Sequence, residues 1–133
     1  MDILDTMNSR HAVRAFKNTP IDLGKTTALN ELIESINKRS GLHIQLITNE
    51  PEAFSGIMAR MAGFRNAKNY IALIGKNAPG LEERCGYFGE QIVLKATELG
   101  LNTCWVALTF NRGKCRKKCE IDSEKGEKLL MII

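Results

Sequence analysis

The sequence has no apolar run that approaches the roughly 20 residues needed to cross a bilayer. Its first residues, Met1-Asp2-Ile3-Leu4-Asp5, lack the cationic and apolar regions of a secretory leader. A soluble cytoplasmic protein without membrane contact is therefore expected. No internal repeat, low-complexity stretch or linker stands out, so residues 1–133 read as a single domain. No Ser-His-Asp arrangement, phosphate-binding glycine loop or paired-carboxylate motif is visible, which leaves hydrolase and kinase chemistry without support. Only two histidines are present, His11 and His43, and neither lies close in sequence to a cysteine pair. A structural zinc needs about four ligands, so no metal is expected.

Charge of one sign is also scarce. Nineteen Lys and Arg stand against 15 Asp and Glu, a net +4, which falls short of a nucleic-acid-binding signature and suits a small anionic ligand better. The basic cluster Lys114, Arg116, Lys117 and Lys118 has no interleaved aromatics for base stacking and reads as a solvated loop. Four cysteines, at 85, 104, 115 and 119, allow two bridges. However, a 133-residue chain with 44% hydrophobic residues can bury a core without staples, and reduced thiols are expected.

What is present is an alternation of helical and extended patterns. Ile3, Leu4 and Met7 lie at helical spacing. Asp22 can cap a second helix whose stripe is Leu29, Leu32, Ile33 and Ile36, ending near Lys38 before Gly41. Leu42, Ile44 and Leu46 alternate with polar neighbours, the period of a strand, with His43 facing outward. A short helix from Glu52 to Met61 is expected to bury Phe54, Ile57, Met58 and Met61, and Tyr70–Gly75 reads as a fully buried strand. Leu81 to Leu99 forms a long helix with the stripe Phe88, Ile92, Ala96 and Leu99, widened by Tyr87, Val93 and Leu94, and closed by Gly100. Thr103–Phe110 reads as another strand or an extended segment, Trp105 as a core residue, Arg112–Lys118 as a basic loop, Asp122 or Ser123 as the start of a helical turn, and Leu129–Ile133 as a last strand. The class is α+β or layered α/β, a mixed sheet packed with helices that include one long buried central helix.

The segment with most chemical content is Ser9-Arg10-His11-Ala12-Val13-Arg14-Ala15-Phe16. In an extended chain residues 10, 12 and 14 share a face, so two guanidinium groups can grip separate anionic or carbonyl parts of one elongated ligand. FMN is such a ligand. Arginine pairs with phosphate through its planar fork, and its permanent charge stabilises the negative charge that develops at a flavin pyrimidine. Taken alone, two arginines also read as solvated surface charges.

Three further stretches follow in order: Asn69-Tyr70-Ile71-Ala72-Leu73-Ile74-Gly75, Gly86-Tyr87-Phe88-Gly89-Glu90-Gln91-Ile92-Val93-Leu94, and Glu98-Leu99-Gly100-Leu101-Asn102-Thr103-Cys104-Trp105-Val106-Ala107. Together with the arginine segment they resemble the FMN-dependent nitroreductase superfamily, most closely its Thermotoga-type branch. The resemblance implies a homodimer with FMN at the subunit interface. NAD(P)H would be the electron donor, and a nitro compound, quinone or similar small molecule the acceptor, in a ping-pong cycle. By position Arg10 and His11 match the phosphate-side residues and Arg14 the basic residue near the pyrimidine, while Val106, Ala107 and Leu108 fall where the family runs backbone amides past the flavin N5. No catalytic acid or base is implied. Ser35–Gly41 stands where the family has a Ser- and Asn-rich loop, so no ring contacts are carried over there. The family also continues past a strand like Leu129–Ile133 with further basic residues and a partner-embracing arm. The resemblance thus implies a chain short of its C-terminal part, and a rival reading: a truncated or degenerate flavin-binding or dimerising member without turnover.

Overall fold

The structure is a computed structural model that describes residues 2–133; Met1 lies outside them. Helix α1 covers Ile3–Ser9 and starts on Asp2, whose carboxylate accepts the Asp5 N–H. Helix α2 covers Leu23–Ser40. Asp22 caps it by accepting the Lys25 N–H, and Gly41 at φ +75° ends it, a left-handed conformation that costs glycine little. The central helix α4 covers Leu81–Glu98 and is closed by Leu99 and Gly100, the latter at φ +79°. The faces of α2 and α4 that meet bury Leu29, Ile33 and Ile36 against Ile92, Val93 and Ala96.

Three strands form one antiparallel sheet in the order β1 (Gln45–Ile47), β2 (Tyr70–Lys76), β3 (Glu127–Ile132). Among the described residues, parallel pairing is confined to two isolated bridges, Ala12 with Thr103 and Ala15 with Arg65. β1 is shorter than its alternation predicts because α2 takes over part of the ladder's work. Asn37 accepts the Ile44 N–H and donates to the Ile44 carbonyl. β2 is buried from Tyr70 to Gly75, as a central strand should be. β3 pairs with β2 within the chain, and a bulge opposite Leu73/Ile74 makes Leu130 the extra residue.

Alternation along β2 sorts the core into two halves. Ile71 and Leu73 face α2 and α4, whereas Tyr70, Ala72 and Ile74 face the opposite half with Ala53, Phe64, Val106, Phe110 and Cys115. Each fully buried Leu or Ile stabilises the fold by roughly 1.5–3 kcal/mol relative to exposure. The single Trp105 is half-buried against the first half. Its ring lies where a side chain at Gly89 would stand, since a Cβ there would be 2.6 Å from the indole, and its N–H donates to Glu90 at 3.1 Å.

Several expectations fail. The segment 52–61 is not one helix but a 3-10 turn, Pro51–Phe54, followed by α3, Ile57–Met61. Its small Ala59 faces inward, so Ile57, Met58 and Met61 fall on the outer arc at 76%, 61% and 83% exposure. Tyr87 does not widen the buried face of α4; it is exposed, with its ring edge-on to Phe88. Thr103–Phe110 is not a strand: only Thr103 and Val106 make bridges. Arg112–Lys118 is not a loop but helix α5, capped by Asn111 accepting the Lys114 N–H, with Cys115 as its single buried residue. Lys and Arg are good helix formers, and cations in the last turn suit the helix dipole, so the run needs no apolar stripe to be helical. His43 is half-exposed and engages Glu127 at 3.0 Å. No helix among the described residues is long and apolar enough to cross a membrane.

Candidate functional site

The segment after α1 is extended, and two neighbours hold it so. The Val13 N–H donates to the Thr103 carbonyl at 3.0 Å. Further along, the Phe16 N–H donates to Arg65 and the Arg65 N–H to Arg14. Val13, Ala15 and Phe16 line a cavity whose walls do not include Arg10, Ala12 or Arg14.

Arg10 is half-buried, and its Nε–H has no acceptor among the described residues. A buried donor left unpaired is costly, and an anionic ligand is the natural remedy. His11 is exposed, its Nδ1 3.1 Å from the Ser9 carbonyl. Arg14 is more committed. It donates to the Ala62 carbonyl at 2.9 Å, at the end of α3, and its guanidinium lies 5.8 Å from the Phe64 ring centre. The structure thus ties the arginine segment to α3 on one side and to Thr103 on the other.

From Thr103 the chain reaches Val106, Ala107 and Leu108. Val106 is buried and exchanges both backbone hydrogen bonds with Ile132, at 2.8 and 3.0 Å, so its amide is already used. Ala107 and Leu108 are exposed, and neither amide is engaged in a hydrogen bond among the described residues. Of the three amides, these two remain for a ligand.

Sequence reasoning missed the residue that shapes this stretch. Arg112 donates to the carbonyls of Leu129, Leu130 and Ala107, at 2.6, 3.2 and 3.2 Å, and lies over the Phe110 ring. One side chain therefore fastens residues 107–110 to β3. Its partners are main-chain carbonyls, so no pattern in side-chain types could have revealed it.

The cavity, of about 590 Å³, opens on the other side of the arginine segment. Val13 and Ala15 line it, with Leu29, Phe64 and Leu101, and Lys17, Lys25 and Lys68 at its edge. Lys25 is paired with Asp22 and Lys68 with Asn18. Arg10, His11, Arg14 and residues 106–108 are not among its walls. Cavity size and arginine chemistry thus point to different places. The arginine face is the better candidate for an anionic cofactor, because an unpaired guanidinium N–H is a specific demand and apolar volume is not.

Comparison with known proteins agrees on the fold. A family model described as "Putative TM nitroreductase" matches residues 2–133. A nitroreductase family protein from Clostridium novyi NT superposes with a TM-score of 0.69 at 18% identity, covering 99% of this chain and 82% of that one. An FMN-dependent nitroreductase from Clostridium difficile R20291 gives 0.72 at 17% identity, covering 97% and 83%. A nitroreductase with bound FMN from Bacteroides fragilis NCTC 9343 gives 0.71 at 17% identity, covering 99% and 86%. A search of curated protein sequences returned no match.

Proposed function

Because the chain belongs to the nitroreductase family whose model spans its residues 2–133, we propose that it is an FMN-dependent NAD(P)H oxidoreductase of the cytoplasm. The observation that carries this reading is the pinned extended segment with its unsatisfied Arg10. FMN, when bound, supplies the hydride chemistry of a ping-pong cycle in which a nicotinamide donor reduces a nitro compound, quinone or similar acceptor. The protein's part is positioning and electrostatics. Arg10 and His11 hold the phosphate side. Arg14, steadied by Ala62 and Phe64, places a permanent positive charge near the flavin pyrimidine. The exposed backbone at Ala107 and Leu108, fastened by Arg112, offers donors to the flavin N5.

Self-association belongs to the same proposal. Ile3, Leu4 and Met7 on α1, at 58%, 65% and 52% exposure, and Tyr87 on α4 are apolar residues on helices that pack together. Apolar surface of this kind marks an interaction site, and a second copy of the chain is the proposed occupant.

A second reading, a flavin-binding or dimerising member without turnover, draws on a specific observation: the Val106 amide is spent on Ile132, and Arg14 is already bonded to Ala62. The visible absorption spectrum of the purified protein separates the two, recorded with added FMN and then with NADH in the absence of oxygen. A protein-bound flavin spectrum that bleaches with NADH is expected. Bound flavin that stays oxidised with both NADH and NADPH would favour the second reading, and no bound flavin at high FMN would remove the first and leave of the second only a dimerising member.

A further inference from the structure

Cys115 and Cys119 stand one helical turn apart at the end of α5, on the half of the core away from α2 and α4. Cys115 has no exposed surface, whereas Cys119, the residue that caps the helix, is half-buried and within reach of solvent. Both are free thiols. Helical geometry sets their Cα atoms about 6 Å apart, within the span of a disulfide.

Cys119 packs against the part of the core that buries Cys115. Tyr70, a fully buried residue of β2 in that same part of the core, has a hydroxyl with no hydrogen-bond partner. Around them the helix is entirely cationic: Arg112, Lys114, Arg116, Lys117 and Lys118. Among the described residues no third His, Cys, Asp or Glu joins the pair to make a metal-binding group.

This environment acts on the two thiols in opposite directions. Cys115 is held below the ordinary thiol range by the hydrogen bond from Cys119, against the opposing effect of burial and with help from Tyr70 and Arg112. Cys119 is pushed up because it keeps that proton and is partly removed from water. Burial, with the Cys115 charge added, also pushes Tyr70 up. Cys85 shows the contrast: it is buried without a second thiol, and burial pushes it up to about 11.

We propose that Cys115 and Cys119 form a reversible dithiol–disulfide pair, a site of oxidation by hydroperoxides. Cys119, the reachable sulfur, loses its proton to solvent and attacks the peroxide. The O–O bond breaks, Cys119 becomes a sulfenic acid, and the released alkoxide or hydroxide takes a proton from solvent. The Cys115 sulfur then attacks the Cys119 sulfur. Hydroxide leaves with the Cys115 proton as water, and the S–S bond forms. Two thiols are oxidised by two electrons, and the hydroperoxide is reduced to an alcohol and water. Neighbouring Cβ atoms on a helix lie about 5–6 Å apart and disulfide Cβ atoms about 3.5–4.5 Å, so oxidation tightens the last turn of α5.

The test is peptide mapping of the purified protein after limited hydrogen peroxide, alkylation and trypsin. Cleavage follows Lys114, Arg116, Lys117 and Lys118, so the bridge joins the dipeptide Cys115-Arg116 to the peptide Cys119–Lys125. That linked species is expected, it should separate on reduction with dithiothreitol, and Cys85 and Cys104 should remain alkylatable. Cys119→Ser, at the half-buried cap, should fold normally and lose thiols to peroxide at least about tenfold more slowly. In Cys115→Ala, Cys119 should proceed to sulfinic acid. Sulfinic or sulfonic acid on Cys119 of the unaltered chain with Cys115 still alkylatable would overturn the proposal. So would a bridge between two chains, or thiols that do not react.

Discussion

The two halves of the core are built by different means. The half against Ile71 and Leu73 is covered by two 18-residue helices, α2 and α4, whose buried stripes run from Leu29 to Ile36 and from Leu81 to Ala96. The half against Tyr70, Ala72 and Ile74 is covered by a 3-10 turn, the five-residue α3, the seven-residue α5 and the bends between them. The first is held by periodic side-chain packing. The second is held by single contacts between distant main-chain and side-chain groups, such as Arg112 on Leu129, Leu130 and Ala107. Long-helix packing thus collects on one side of β2, while the free amides, the arginine tether and the pair Cys115 and Cys119 collect on or beside the other.

The contrast is broken most forcefully through the helical half. Leu73→Ala removes a side chain with no exposed surface in a close-packed region and should cost about 2–5 kcal/mol in urea unfolding. A loss under about 1 kcal/mol would mean that α2 and α4 do not close over β2 as described.

The end of the sheet, where His43 and Glu127 meet, should respond less. Burial works against ionisation of Glu127, but the hydrogen bonds from the His43 ring and the Asp122 N–H, with the charges of His43 and Lys125, outweigh it. The carboxyl is therefore held below its usual range. A folded pKa below the unfolded one gives stability that is present above the unfolded carboxylate range and lost as pH falls through the folded value. Glu127→Gln should therefore cost about 1 kcal/mol at neutral pH and flatten the fall in stability below about pH 4. An unchanged acid limb in a denaturation series would remove the pair from the account. Smallest of all, Met61→Ser on the outer arc of α3 should change stability by less than about 0.5 kcal/mol. A cost several times larger would show that α3 buries its methionines in solution.

The same division explains what was legible beforehand. The Leu29/Ile33/Ile36 stripe, Asp22, Gly41, the run Tyr70–Gly75 and Gly100 announce α2, β2 and α4, because a long amphipathic element repeats its signal several times over. Short elements do not. Ile57, Met58 and Met61 have helical spacing whichever way α3 is turned, and Ala59 decides the matter only once β2 is in place. Arg112–Lys118 carries no apolar period at all. For the candidate site, the extended arginine segment could be inferred from position and resemblance. The bonds that fix what each group has left to offer, Arg14 to Ala62 and Val106 to Ile132, join residues 48 and 26 apart and leave no local trace.

The bulge at Leu130 has a consequence for how β3 tolerates change in length. Strict alternation would send successive residues to opposite halves, yet Leu129 and Ile132 face one half while Leu130, Met131 and Ile133 pack on the other. The strand thus carries one residue of slack. A one-residue deletion there can be absorbed by straightening the ladder, leaving Ile132 paired with Val106 and Arg112 in reach of β3, whereas the same deletion in β2 would exchange the occupants of both halves at once.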